Sequence, residues 1–173
     1  MTVAGCVVFL SLLVAACVTD VRSRRIPNAL VLALMGCGFV YVIVAGPTAF
    51  AVVRAAGSLL LGLAIWMPFY LLRMLGAGDV KLFAAASVWL APGAVLQAAL
   101  LSVLIGGVFG FVWLARSHGL GFAVVRLSHA VQQPRVLRDP VPTASRHHRI
   151  PYGVAMSLGL AITALRVHAP SFH

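Results

Sequence analysis

Residues 76–93 read Gly76-Ala77-Gly78-Asp79-Val80-Lys81-Leu82-Phe83-Ala84-Ala85-Ala86-Ser87-Val88-Trp89-Leu90-Ala91-Pro92-Gly93, and whether they cross a membrane decides the fold. Between Asp79 and the Pro92-Gly93 break lie about 12 residues, or roughly 18 Å of helix at 1.5 Å per residue. A bilayer's hydrocarbon core is about 30 Å thick and takes about 20 apolar residues to cross. So short a segment crosses only if it tilts little, draws in its polar ends or starts below the membrane surface, as packing among other helices permits. It also carries a carboxylate, whose burial costs several kcal/mol unless the charge is paired, neutralised or used.

The rest of the chain sets the context for that segment. Of its 173 residues, 62% are hydrophobic and 9% charged, with a mean hydropathy of +1.05. A soluble domain is about one quarter charged, so this is a polytopic membrane protein. Uncharged runs suited to helices cover roughly 2–19, 29–46, 55–72, 94–115 and 150–165. With the short segment the expectation is an all-α bundle of about six transmembrane helices, forming one domain over 1–173.

Charge placement supports counting the short segment. The formal net charge is +10, from thirteen Lys and Arg against three acids, with no Glu. Arg22, Arg24 and Arg25 follow the first run, and Arg73 and Lys81 flank the turn after the third. Arg116, Arg126, Arg135, Arg138, Arg146 and Arg149 lie in the connection at about 116–149. With six spans all of these fall on one side, leaving Arg54 and Arg166 for the other; five spans would scatter them. The positive-inside rule then places the basic connections in the cytoplasm and the N-terminus outside it. Because the charges sit between hydrophobic runs and not in one stripe, they suit anionic lipid headgroups better than nucleic acid. Residues 120–131 mix apolar positions with Arg126 and His129, as an interfacial helix does, and the proline-containing stretch that follows reads as loop.

Several chemistries are set aside. Cys6, Cys17 and Cys37 lie in apolar runs without CxxC spacing, so neither a disulfide framework nor a zinc site is expected. His147-His148 sits among arginines with no carboxylate or Cys to complete a ligand set, and no metal or other cofactor is expected. Val14-Ala15-Ala16-Cys17 resembles a lipoprotein cleavage box, yet no Lys or Arg precedes it and further spans follow, so it reads as a retained helix.

The three acids then separate. Asp139 lies in the proline-containing loop beside Arg138, where hydration or a weak exposed pair suffices. Asp20 ends the first span and Asp79 begins the short one, so both lie at the cytoplasmic boundary. A structural reading makes Asp79 a helix N-cap with Gly76 and Gly78 forming its turn, and Asp20 a partner of nearby arginines. A functional reading brings the two together, where closely spaced carboxylates cannot both ionise easily. One then acts as base toward a bound water while its protonated partner polarises a peptide carbonyl. Glycines before Asp79 would let another segment approach closely. A further reading makes the acids part of a membrane proton or cation pathway, or the chain a scaffold subunit.

Asp20-Val21-Arg22-Ser23-Arg24-Arg25-Ile26-Pro27-Asn28 and Gly76-Ala77-Gly78-Asp79-Val80-Lys81 resemble the two signature stretches of the type IV prepilin peptidases, which are GxGD-type intramembrane aspartyl proteases. Ile150-Pro151-Tyr152-Gly153 resembles the motif opening their last helix. The resemblance implies that Asp20 and Asp79 are the catalytic pair, that Gly76 and Gly78 shape the active-site loop, and that Lys81 closes the motif. Arg22, Pro27, Asn28, Pro151 and Gly153 support the match. It further implies a bacterial inner-membrane, multi-pass endopeptidase that removes the basic leader from pilin or pseudopilin precursors at the cytoplasmic face. The chain begins directly with its first span and has no CxxC, so it resembles the short members associated with Flp (tight-adherence) pili, and no N-terminal methyltransferase region is expected. Because that face is itself basic, anionic lipid is the expected attractor of a basic leader.

Overall fold

A computed structural model describes residues 2–23, 26–46, 48–118 and 152–168. Among these residues the chain forms six helices and no strand: α1 (Val3–Ser23), α2 (Asn28–Ala45), α3 (Ala49–Leu71), α4 (Ala77–Ser87), α5 (Pro92–His118) and α6 (Tyr152–His168). The basic connection expected at about 116–149 lies largely outside the described residues, together with Asp139 and the His147-His148 pair, as do Arg24, Arg25 and Pro151.

Four helices are long and apolar enough to cross a membrane: α1, α2, α3 and the Pro92–Val112 part of α5, at mean hydropathies of 2.2, 2.2, 1.8 and 2.2. The apolar part of α6, Tyr152–Val167, is shorter. The fold is an all-α membrane bundle, as its composition predicts. One boundary differs. Taking only uncharged sequence starts the third run at 55, whereas α3 begins at Ala49, with Thr48 as its N-cap accepting the Ala51 N–H at 3.2 Å. Arg54 is exposed within this first part of the helix, where a long side chain can reach the membrane surface while its stem stays in apolar surroundings.

The short segment is resolved by burial. Helix α4 has only 11 residues, about 16 Å of rise, and packs against α2, α3 and α6 at the centre of the bundle. Every residue from Leu82 to Leu90 is buried. Small residues permit this approach: a side chain on Gly62 of α3 would strike Ser87, and one on Gly38 of α2 would strike Val88 and Trp89. Van der Waals packing of this kind drives helix association where lipid supplies no hydrophobic gain.

After Ser87 the chain turns while still inside the bundle. Val88, Trp89 and Leu90 are 2%, 6% and 4% exposed. Ser58 Oγ donates to the Leu90 carbonyl at 2.8 Å, and Trp89 Nε1 donates to the Leu34 carbonyl at 2.9 Å. Phe9 and Tyr41 hold the Trp89 ring at centroid separations of 5.4 Å each. Above this turn lies a cavity of about 350 Å³ whose lining includes Tyr41, Arg54 and Trp89.

Helix α3 ends in a paired hydrogen-bond motif. Met74 N–H donates to the Phe69 carbonyl and Arg73 N–H to the Tyr70 carbonyl, each at 2.9 Å. Arg73 holds the left-handed conformation this ending requires, with φ of 59°, at a position where glycine is the usual occupant.

Candidate active site

Three helix ends meet at one level of the bundle: the C-terminal turn of α1 and the first turns of α4 and α6. Asp20 comes from the first, Asp79 from the second and Gly153 from the third. A methyl group placed on Gly153 would lie 2.6 Å from Asp20 Oδ2, 3.0 Å from Asp20 Cγ and 3.3 Å from Asp79 Oδ1. Two acids 59 positions apart in sequence thus reach the same small volume.

The two carboxylates are held differently. Asp79 is the third residue of α4, and its Oδ2 accepts the Gly76 N–H at 3.3 Å, the acid-to-N-cap half of a capping box. Its other oxygen, Oδ1, is the one facing Gly153 and Asp20. One carboxylate therefore serves both helix and site, so the structural and functional readings of Asp79 do not compete. Asp20 is 8% exposed, and its Oδ2 has no hydrogen-bond partner among the described residues. A buried oxygen in that state is costly, and it points at the first turn of α6.

The remaining sequence-derived positions divide. Gly76 is the exposed N-cap of α4, with φ of −77° and ψ of 148°. Any residue adopts those angles; what the glycine provides is space, since a Cβ there would lie 3.2 Å from Asp79 Oδ2. Gly78 lies in the first turn of α4 against Ile26, 3.5 Å from where its Cβ would be, so the loop after α1 packs on the turn that carries Asp79. Pro27 is the N-cap of α2 and Asn28 its first residue; both are exposed, as are Arg22 and Lys81. The fold thus collects Asp20, Asp79, Gly76, Gly78 and Gly153 and leaves Arg22, Pro27, Asn28 and Lys81 on the outside. Pro151 falls outside the described residues.

Sequence reasoning also passed over Ser157. It lies four residues after Gly153 and so on the same face of α6. It is 3% exposed, and its Oγ has no hydrogen-bond partner among the described residues. The available signal was the i, i+4 spacing of a glycine and a hydroxyl in an apolar helix.

No group of three or more His, Cys, Asp or Glu among the described residues could hold a metal ion. What the site offers is a buried carboxylate oxygen from α1 beside a half-buried carboxylate from α4, suited to proton exchange with a small molecule between them.

Comparison with known proteins identifies the family. The model of the type IV leader peptidase family matches residues 7–111, more than half of the chain and both acids. The prepilin leader peptidase/N-methyltransferase of Xanthomonas campestris pv. campestris is 32% identical over 121 residues, covering 64% of this chain and 40% of that protein. The chain therefore spans less than half the length of that relative. No solved structure matches. On the family match, which takes in both α1 with its acid and the glycine-flanked acid of α4, the chain belongs to the type IV leader peptidase family.

Proposed function

We propose that this protein is an intramembrane aspartyl endopeptidase that removes the basic leader from type IV prepilin-like precursors, acting at the cytoplasmic membrane face of a bacterial inner membrane through Asp20 and Asp79. The observation that carries the reading is the meeting of these two carboxylates at Gly153. Family membership supports leader-peptide processing, and the name of the Xanthomonas relative supplies the prepilin substrate. The whole chain serves as one transmembrane peptidase domain.

In this mechanism a water sits between Asp79 Oδ1 and Asp20 Oδ2. The ionised carboxylate takes a proton from the water as its oxygen bonds to the scissile carbonyl carbon, while the protonated partner donates a hydrogen bond to the carbonyl oxygen. Collapse of the tetrahedral intermediate breaks the C–N bond, and the departing amine takes up a proton from the pair. The Gly76 N–H keeps the other Asp79 oxygen engaged, which fixes the direction in which Oδ1 points. A pathway for protons or cations across the membrane would need acids toward mid-bilayer, whereas these belong to the last turn of α1 and the first turn of α4.

Charge supports this facing. Arg22, Arg73 and Lys81 lie at the same end of the bundle as the two acids, and Arg54 and Arg166 lie toward the other, the asymmetry that the positive-inside rule associates with a cytoplasmic face. The test is cleavage of a pilin-like precursor by purified protein in lipid, comparing wild type with Asp20→Asn and Asp79→Asn. Loss of a single clean cleavage in both variants supports the reading. Substantial cleavage by either variant removes the paired-carboxylate mechanism, and inactive but folded wild type removes the peptidase.

A further inference from the structure

We infer that Gly153 is a positioning residue for the carboxylate pair: its missing side chain is what lets Asp20 of α1 and Asp79 of α4 close on one another across the first turn of α6. This rests on the proposed role of the pair. It concerns a residue beyond the part of the chain that the family model matches.

Glycine is a poor helix former beside alanine, and at Gly153 no unusual backbone angle demands it. The demand is spatial. A methyl at 2.6 Å from Asp20 Oδ2 and 3.0 Å from its Cγ overlaps the carboxylate itself, so the acid, the helix or both must move. The other tight helical glycines meet different neighbours: Gly5 meets Tyr41, Gly38 meets Val88 and Trp89, Gly62 meets Ser87, Gly106 meets the Tyr152 ring and Gly159 meets Ser102. Gly153 is set against acids from two separate helices.

The two acids also depend on this wall to different degrees. Asp79 is anchored by the Gly76 N–H. Asp20 is 8% exposed and its Oδ2 makes no hydrogen bond of good geometry, while the Gly153 backbone N–H is the polar group that favours its charged form, so the first turn of α6 sets its position. Tyr152 fixes the wall in turn. Its ring fills the space over Gly106 of α5, where a Cβ would lie 2.9 Å from Tyr152 Cε1. Adjacent helical residues point about 100° apart, so Tyr152 seats the turn on α5 while Gly153 presents bare backbone to α1 and α4.

The experiment uses the full chain in lipid vesicles and the variant Gly153→Ala, with Gly107→Ala, which meets open space, as reference. For cleavage of a pilin-like precursor, Gly153→Ala is expected to lower kcat by about 10- to 100-fold with KM within about threefold of wild type, while the unfolding midpoint holds or rises. Gly107→Ala should leave kcat unchanged. A second readout needs no substrate. The chain has three Asp and no Glu, so carbon-13 labelling of aspartate gives three side-chain carboxyl signals to follow with pH. Coupling spreads the two titration steps of a close pair, and Gly153→Ala should bring them together. Arg22, Tyr70, Arg73, Lys81, Arg116 and Tyr152 are ionisable groups on the described elements at that end, and they remain unchanged.

Wild-type kcat in Gly153→Ala, or an unchanged spread of the titration steps, overturns the inference. If wild type cleaves nothing, the peptidase reading fails while the carboxyl titration still decides whether Gly153 spaces the pair. Should Gly153→Ala not fold, Gly106→Ala decides instead. It pushes on Tyr152 without adding an atom beside the acids and is expected to cost about threefold to tenfold in kcat; no loss there overturns the inference.

Discussion

At its N-terminal end α4 brings Asp79 to within reach of Asp20, whose buried Oδ2 has no described partner. At its C-terminal end, the turn through Val88, Trp89 and Leu90 is as deeply buried, yet the Leu90 carbonyl and the Trp89 indole N–H are both hydrogen-bonded, to Ser58 and Leu34. Polar groups meet both ends of this helix, with opposite outcomes. At the C-terminal end they are paired and hold the helix in place. At the N-terminal end Asp79 is half-buried and bonded through Oδ2, while the neighbouring Asp20 Oδ2 of α1 is buried with no partner among the described residues, a state that costs folding free energy. Substitutions at the N-terminal end should therefore alter activity with little effect on folding, and substitutions at the C-terminal end should do the reverse.

The largest effect is expected from the acids. Asp20→Asn and Asp79→Asn each should lower cleavage about a thousandfold or more, since the amide keeps the shape but cannot ionise. Both variants should insert and unfold at wild-type temperature or above it, as a neutral group is less costly to bury. A fall in the unfolding midpoint that matched the loss of activity would erase the contrast between the ends. Trp89→Ala should come next, removing the ring held by Phe9 and Tyr41 at a cost of about 3 kcal/mol or more, measured by unfolding in mild detergent. Cleavage per folded molecule should change far less. Ser58→Ala leaves the Leu90 carbonyl without its donor and should cost about 1 kcal/mol, in keeping with hydrogen bonds inside membranes, with kcat retained. The smallest change has the opposite sign: Arg73→Gly relieves a left-handed backbone and should stabilise the protein by about 1 kcal/mol. It also removes one of the basic residues on which the positive-inside reading rests, so its topology should be checked by accessibility of an engineered cysteine.

How much of this was legible beforehand depends on how local the determinant is. Helical class, the approximate spans and the short central segment follow from hydropathy and from where Lys and Arg fall, because lipid imposes both along the sequence. Asp20 and Asp79 stood out since the chain has so few acids and these two flank apolar runs. The start of α3 was misplaced because a rule that ends a span at any charge cannot anticipate Arg54 lying exposed on a helix capped by Thr48. Gly153 was singled out only as part of a motif, and Ser157 not at all, for a different reason. Their surroundings are made by other helices, and no property of 152–157 read alone reveals that a carboxylate lies where a methyl would go. For Gly76 and Gly78 the sequence offered two readings, turn formation and room for close approach; the turn's left-handed residue is Arg73, and the space beside the glycines is taken by Asp79 and Ile26.

The shortness of α4 also governs how the protein is made. Eleven residues rising about 16 Å, with Asp79 and Lys81 near one end, cannot partition into a bilayer as an independent unit. The segment must enter together with α3 and α5, its turn shielded by Ser58 and Trp89 as the neighbours close around it. The wall formed by Gly153 belongs to α6, which follows both acids along the chain. A nascent chain therefore carries both acids before it can hold them against each other, and on the proposed mechanism proteolytic competence waits for α6 to join the bundle.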